Sequence, residues 1–208
     1  MASVALHVID RRRLDFDTAW ERLDDAERAR AGRFVFDRDR RRWTVFRAEA
    51  KRLLAAHLGR PLPDWREEAD GKPFLAGRPV EFNLTHGERF AALVISEHGP
   101  VGVDLEPLAR GRDLLDAAAA FCHPDELAGL PVAPDARADR LIRIWTAKEA
   151  FLKALGAGLT QPPREIRLRG DRADGPPAGL ADYHLLRPTL IADHALAAAV
   201  PHDVTRFS

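Results

Sequence analysis

Apolar and polar residues alternate at the start of the chain, where Val4, Leu6 and Val8 are separated by Ala5 and His7. That period of two predicts an opening strand. The period then lengthens to three and four. Asp24 or Asp25 is placed to cap a short helix through about Ala31, and Asp37 to cap a long one running toward His57. In the long helix Trp43, Phe46, Ala50, Leu53, Leu54 and His57 share a face, and Gly59 and Pro61 end it. Gly71-Lys72-Pro73 reads as a turn, followed by strands near 80–84 and 90–95. After the break at Gly99-Pro100 comes a strand at 101–106, closed by Pro107, then helices at about 113–121 and 125–130 and a loop at 131–135. A long helix follows, from about Ala136 to the stop at Gly156 and Gly158. Three further strands are expected near 165–169, 183–187 and 194–200, with a long Pro/Gly-rich turn at 170–179.

Strand, helices and strands thus occur in the same order twice. This predicts an α+β fold made of two similar halves, 1–99 and 100–208, a pseudo-dimer of the kind that duplication produces. Each half is too small for a large core of its own, so a broad shared interface is expected.

The chain of 208 residues is 46% hydrophobic, enough for a core, and 31% charged, which argues against a membrane protein. Lys+Arg and Asp+Glu are both 32. Nothing global therefore points to nucleic acid or an anionic bilayer, and any anion site must be local. The single cysteine, Cys122, excludes an intrachain disulfide and makes a thiolate metal cluster an unexpected feature. Residues 1–10 lack the basic start and apolar run of a signal peptide, so the expected location is cytoplasmic.

Four stretches carry candidate chemistry. In Val101-Gly102-Val103-Asp104-Leu105-Glu106 the apolar residues face one way, and Gly102, Asp104 and Glu106 the other. The carboxylates then stand about 6.6 Å apart along the strand, with Gly102 expected to leave open space beside them. A solvated acidic face has the same pattern, but so does a site for a hard dication such as Mg²⁺. In Trp145-Thr146-Ala147-Lys148-Glu149-Ala150-Phe151-Leu152-Lys153, the residues Ile144, Ala147, Phe151 and Leu155 form a buried stripe. Trp145, Glu149 and Lys153 form another, so a carboxylate and an ammonium emerge one turn apart. Taken alone, this is a common surface pair. Phe82-Asn83-Leu84-Thr85-His86 ends a strand with Asn83 and Thr85 on one face, a group able to donate to phosphate or to bond its own turn. Arg38-Asp39-Arg40-Arg41-Arg42 opens the long helix, where Arg can hold phosphate or simply face water.

Together these pieces resemble the Sfp-type 4'-phosphopantetheinyl transferases. Gly102-Val103-Asp104-Leu105-Glu106 looks like the family's G-[VI]-D-x-E, and residues 145–153 look like its W-x-x-K-E-[AS]-x-x-K. Upstream, Gly71-Lys72-Pro73 and Phe82-Asn83-Leu84-Thr85-His86 are similar to its G-K-P and F-N-x-S-H segments, with Thr85 in place of the usual Ser. The resemblance implies the family's fold, with coenzyme A between the halves. It implies transfer of the 4'-phosphopantetheine arm to a serine hydroxyl of an apo acyl or peptidyl carrier protein, with release of adenosine 3',5'-bisphosphate. Such carriers serve fatty acid, polyketide or non-ribosomal peptide synthesis. By motif position, Asp104, Glu106 and Glu149 would hold Mg²⁺, with Glu149 also the candidate base. Lys153 would meet the coenzyme A diphosphate. Arg42, Lys72, Thr85 and His86 would hold the nucleotide end; Asp104 and Lys148 are grouped with these cofactor-binding residues, Lys148 without a more specific role. A monomer acting on coenzyme A and a carrier is expected.

Carrier docking is expected on 110–130, where Leu114 and Phe121 offer an apolar patch beside Arg110 and Arg112, although ordinary core helices would look alike. Two other functions use some of the same residues. A metal-dependent phosphohydrolase or nuclease leaves Trp145, Lys148 and the upstream segments unexplained. A non-catalytic module that only holds coenzyme A or a carrier would not need all three carboxylates.

Overall fold

The computed structural model describes residues 2–68, 71–158, 161–176 and 178–207. The chain opens with strand β1 (Ala2–Asp10) and two short helices, α1 (Phe16–Glu21) and α2 (Asp25–Ala31). Asp24 caps α2: its Oδ1 accepts from Glu27 N at 2.9 Å while Glu27 Oε2 accepts from Asp24 N at 3.1 Å. The long helix α3 (Asp37–Leu58) follows, with Gly59 in the left-handed conformation as its stop. Asp37 is not its cap; Phe36 occupies that position without a side-chain bond, and Asp37 sits one residue inside, paired with Arg40 and Arg41.

Strands β2 (Trp65–Glu67) and β3 (Pro73–Leu75) form a small hairpin, too short to show a period in the sequence. Then come β4 (Glu81–His86), β5 (Phe90–Ser96) and β6 (Gly102–Pro107). The helix expected at 113–121 is instead a 3-10 segment, Leu108–Leu114, and a single turn α4 (Ala118–Phe121). This segment packs tightly on a helix backbone at Gly111, where a Cβ would lie 2.2 Å from Ala138 O. Next are α5 (Pro124–Ala128) and α6 (Pro134–Leu155), which begins earlier than Ala136 because Pro134 fits its first turn. Strand β7 (Arg167–Arg169) falls in the strand expected near 165–169 and forms a hairpin with β8 (Arg172–Asp174), which lies in the stretch expected to be a long turn, of which Pro177 lies outside the described residues. Strands β9 (Tyr183–Leu186), β10 (His194–Pro201) and β11 (Val204–Phe207) complete the chain.

The architecture is mixed α+β, with two main sheets ordered β11-β1-β5-β4 and β6-β10-β9. Alternation along the strands explains how they stack. On β5, Ala92 and Val94 face a core shared with Val103, Leu105, Leu196, Ala198 and Val200 of the other sheet. The opposite face of β5, Leu93 and Ile95, packs with Ala50 and Leu54 of α3. On β10, Ala197 and Ala199 likewise turn away from the shared core, toward Ala147, Ala150, Phe151 and Ala154 of α6. The order is helix, sheet, sheet, helix, with an apolar core between the two sheets. β11 pairs in parallel with β1, so the last strand lies in the first sheet.

Candidate active site

The site forms where the edge strands β4 and β6 meet beneath α6. Asn83 and Thr85 leave the same side of β4, as the alternation predicts, and both bond to β6. Asn83 Oδ1 accepts from Val103 N at 2.9 Å, and Thr85 Oγ1 donates to Asp104 Oδ1 at 3.1 Å; both contacts are buried. Gly102 does not leave open space. A Cβ there would lie 2.1 Å from Ala150 O and 2.4 Å from Ala154 N, so the missing side chain admits the backbone of α6 itself. That close approach brings Lys153 onto the strand. Its Nζ donates to Asp104 Oδ1 at 2.6 Å, to Val103 O at 3.3 Å and to Thr85 Oγ1 at 3.4 Å.

The other Asp104 oxygen, Oδ2, is buried without a hydrogen-bond partner, and so is Glu149 Oε1. Burial pushes the Glu149 carboxyl above the usual carboxylate range; Lys153 opposes this, while Asp104 and Glu106 add to it. Burial and Asp104 push Glu106 the same way, against Arg110 and Lys153. Arg110 Nη1 donates to both Glu106 oxygens, at 2.8 and 2.7 Å. The three carboxylates therefore feel one another, but a lysine and an arginine neutralise two of them. Among the described residues no group of three acidic, His or Cys side chains is gathered as a ready metal-holding cluster. The two unpartnered oxygens of Asp104 and Glu149 nonetheless supply hard donors, the type a small dication takes.

The expected nucleotide residues border the same region. Lys72 Nζ donates to Lys153 O at 3.1 Å and Ala154 O at 3.5 Å, at the carbonyl end of α6 where a cation is favoured. Lys72, Asn83 and Lys153 line a cleft of ≈ 270 Å³ with Gly71, Pro73 and Gly156. His86 stacks on Phe46 with ring centroids 6.0 Å apart. The residue is exposed overall, but partial desolvation of the ring where it packs on Phe46 lowers its pKa, helped by Arg42 and Lys153. Arg42 itself pairs with Asp39 at 3.1 Å. Arg42, Lys72, Thr85, His86, Asp104, Glu106, Glu149 and Lys153 thus come together from both main sheets, α3, α6 and the connection between β2 and β3.

Three expected residues do not join them. Lys148 is wholly buried on another side of α6, where its Nζ pairs with Glu126 Oε2 at 2.7 Å. It is a structural cation rather than one facing the cleft, because the 3.6-residue period turns it about 100° away from Glu149. Phe121 is core: its ring meets Trp145 edge-on with centroids 5.3 Å apart, in a cluster with Ala118, Leu130, Leu141 and Ile144. Leu114 is partly buried against that cluster and is the more accessible of the docking pair. Asn83 had no assigned role in the sequence reading. Its signal was its place on the same face as Thr85.

Residues 100–199 match the family model of the 4'-phosphopantetheinyl transferase superfamily. The matched span holds β6, α6 and β10, including Asp104, Glu106, Glu149 and Lys153. The chain is also similar to the 4'-phosphopantetheinyl transferase HetI of Nostoc sp., at 36% identity over 67% of this chain and 62% of the relative. Similarity to AcpT of Escherichia coli (strain K12) is 36% over 59% of this chain and 61% of that protein. The 4'-phosphopantetheinyl transferase of Bacillus subtilis is 32% identical over 49% of this chain and 46% of its own length. The matches to HetI and AcpT thus span about three-fifths of those relatives.

Proposed function

We propose that this chain is a 4'-phosphopantetheinyl transferase of the Sfp type, moving the arm of coenzyme A onto a serine hydroxyl of an apo acyl or peptidyl carrier protein. The observation that carries this reading is the junction of Thr85, Asp104 and Lys153, with Glu149 beside it, at a cleft lined from both halves of the chain. The serine oxygen forms a new bond to the pantetheine-side phosphorus of the diphosphate. The bond from that phosphorus to the bridging oxygen breaks, and adenosine 3',5'-bisphosphate leaves. Glu149, beside Asp104 and Lys153, is the acceptor for the serine proton. Lys153 offsets charge on the diphosphate, while Lys72, Arg42 and His86 hold the nucleotide end. Asp104, Glu106 and Glu149 would hold Mg²⁺, Glu106 exchanging its Arg110 contact for the metal. A bound dication there supplies charge neutralisation at the diphosphate and leaving oxygen.

In this reading residues 1–99 and 100–208 act as a monomeric pseudo-dimer with coenzyme A between them. Its two long helices, each 22 residues and each backed by a sheet, support that reading. Among the described residues no helix is long and apolar enough to cross a membrane. No nucleic-acid partner belongs to this reading, and the equal totals of Lys+Arg and Asp+Glu, 32 each, give it no overall basic charge.

Incubation with coenzyme A, Mg²⁺ and an apo carrier, read by intact mass, tests the reading. The carrier should gain the mass of the arm, and chelation should stop the gain. Breakdown of coenzyme A with an unchanged carrier would instead identify a hydrolase, and binding without either reaction a non-catalytic module.

A further inference from the structure

Lys148 is the residue before Glu149, and its side chain is 0% exposed. Its ammonium carries three protons and meets three acceptors: Glu126 Oε2 at 2.7 Å, Phe121 O at 2.8 Å and Pro163 O at 3.0 Å. Glu126 is equally committed. Its Oε2 also accepts from His123 N at 2.9 Å, and its Oε1 from Leu168 N at 2.9 Å. One ion pair therefore fastens α6 to the end of α4, the start of α5, the 3-10 turn Pro163–Glu165 and β7.

A buried pair of this kind is a weak source of net stability, since well-packed apolar residues often serve as well. It does supply direction. Apolar contacts let a helix rotate or slide by small amounts, whereas three hydrogen bonds converging on one atom do not. On one side of that anchor stands Glu149, and on the other the segment 121–126, within the stretch between the acidic motifs where a carrier is expected to approach.

We infer that the Lys148–Glu126 pair is a positioning device that sets the rotation of α6, and so of Glu149, against the segment that receives the carrier. The inference rests on the proposed transferase reading. Lys148 touches neither substrate in this role; it places the base relative to the incoming serine.

The test uses the full chain with Lys148→Met, Glu126→Gln and the double variant. Lys148→Met alone leaves a lone buried carboxylate and can fail to fold. The double variant removes both charges while the amide oxygen introduced at position 126 still accepts from Leu168 N, so it carries the test in that case. The expected result for the double variant is coenzyme A affinity within about threefold of the unsubstituted chain, with kcat/KM for the carrier lower by about a hundredfold, the scale of an ångström-level misplacement. Transfer within about threefold of the unsubstituted chain would overturn the inference, and so would a parallel loss of coenzyme A affinity, the mark of general disruption. No transfer by the unsubstituted chain would overturn the functional reading itself, which separates the two failures.

Discussion

Asp104 has two oxygens in different surroundings. Oδ1 is held by Thr85 and Lys153, and Oδ2 is buried without a partner. Glu149, one turn before Lys153, also has a buried unpartnered oxygen. Replacing it by Gln keeps the shape and removes the negative charge and the proton acceptor. Glu149→Gln should lower single-turnover transfer by about 10²–10⁴-fold, the usual worth of a general base, while calorimetry still detects coenzyme A binding. Near-normal turnover would remove Glu149 from the chemistry. His86 gives a pH prediction. Its folded pKa lies below its ordinary value, so the unfolded chain takes up a proton at a higher pH than the folded one. The stability this contributes is complete above the unfolded value and is lost as pH falls through the folded value. Thermal denaturation from neutral pH into that window should show a shallower acid loss for His86→Asn than for the unsubstituted chain, and an imidazole NMR titration should place the midpoint below that of a free histidine.

At the scale of elements, the decisive contact is β6 against α6. Gly102 is where the two backbones meet, and neither Ala150 O nor Ala154 N is a flexible side-chain end that can swing aside. Gly102→Ala should therefore cost at least about 1–3 kcal/mol, the range for overpacking, lowering Tm and pushing Lys153 away from Asp104. A variant with unchanged Tm would show that the helix seats elsewhere. The edges of the two sheets are tied by Asn83. Asn83→Leu leaves Val103 N buried without its acceptor, a loss of about 1–3 kcal/mol that urea denaturation would detect.

At the scale of the whole molecule, the two sheets share their apolar faces, and β11 pairs with β1, so the ends of the chain meet in one sheet. Val204 is fully buried in the shared core. Val204→Asp places a carboxylate among apolar side chains, and it should lower Tm far more than Val132→Asp at an exposed loop position. Equal, small effects of the two substitutions would show that β11 is not part of the cooperative core.

The sequence by itself determined the elements whose pattern is long and regular: α3, α6 and the strands β1, β4, β5, β6, β9 and β10. It also determined which motif residues share a face, because a period of two or of 3.6 fixes that. It left the β2–β3 hairpin, β8, α1 and β11 unread, since three to six residues hold too little pattern, and β11 is a strand only because β1 lies beside it. Only tertiary structure decided which shared faces became a site. Glu149 and Lys148 are neighbours in one motif, yet one lies near Lys153, Asp104 and Glu106 and the other locks onto Glu126. Local spacing gives the angle between two side chains on a helix, but not what stands opposite each of them. Gly102 shows the same limit: a missing side chain reads as space in a sequence, and folding fills it with the backbone of another helix.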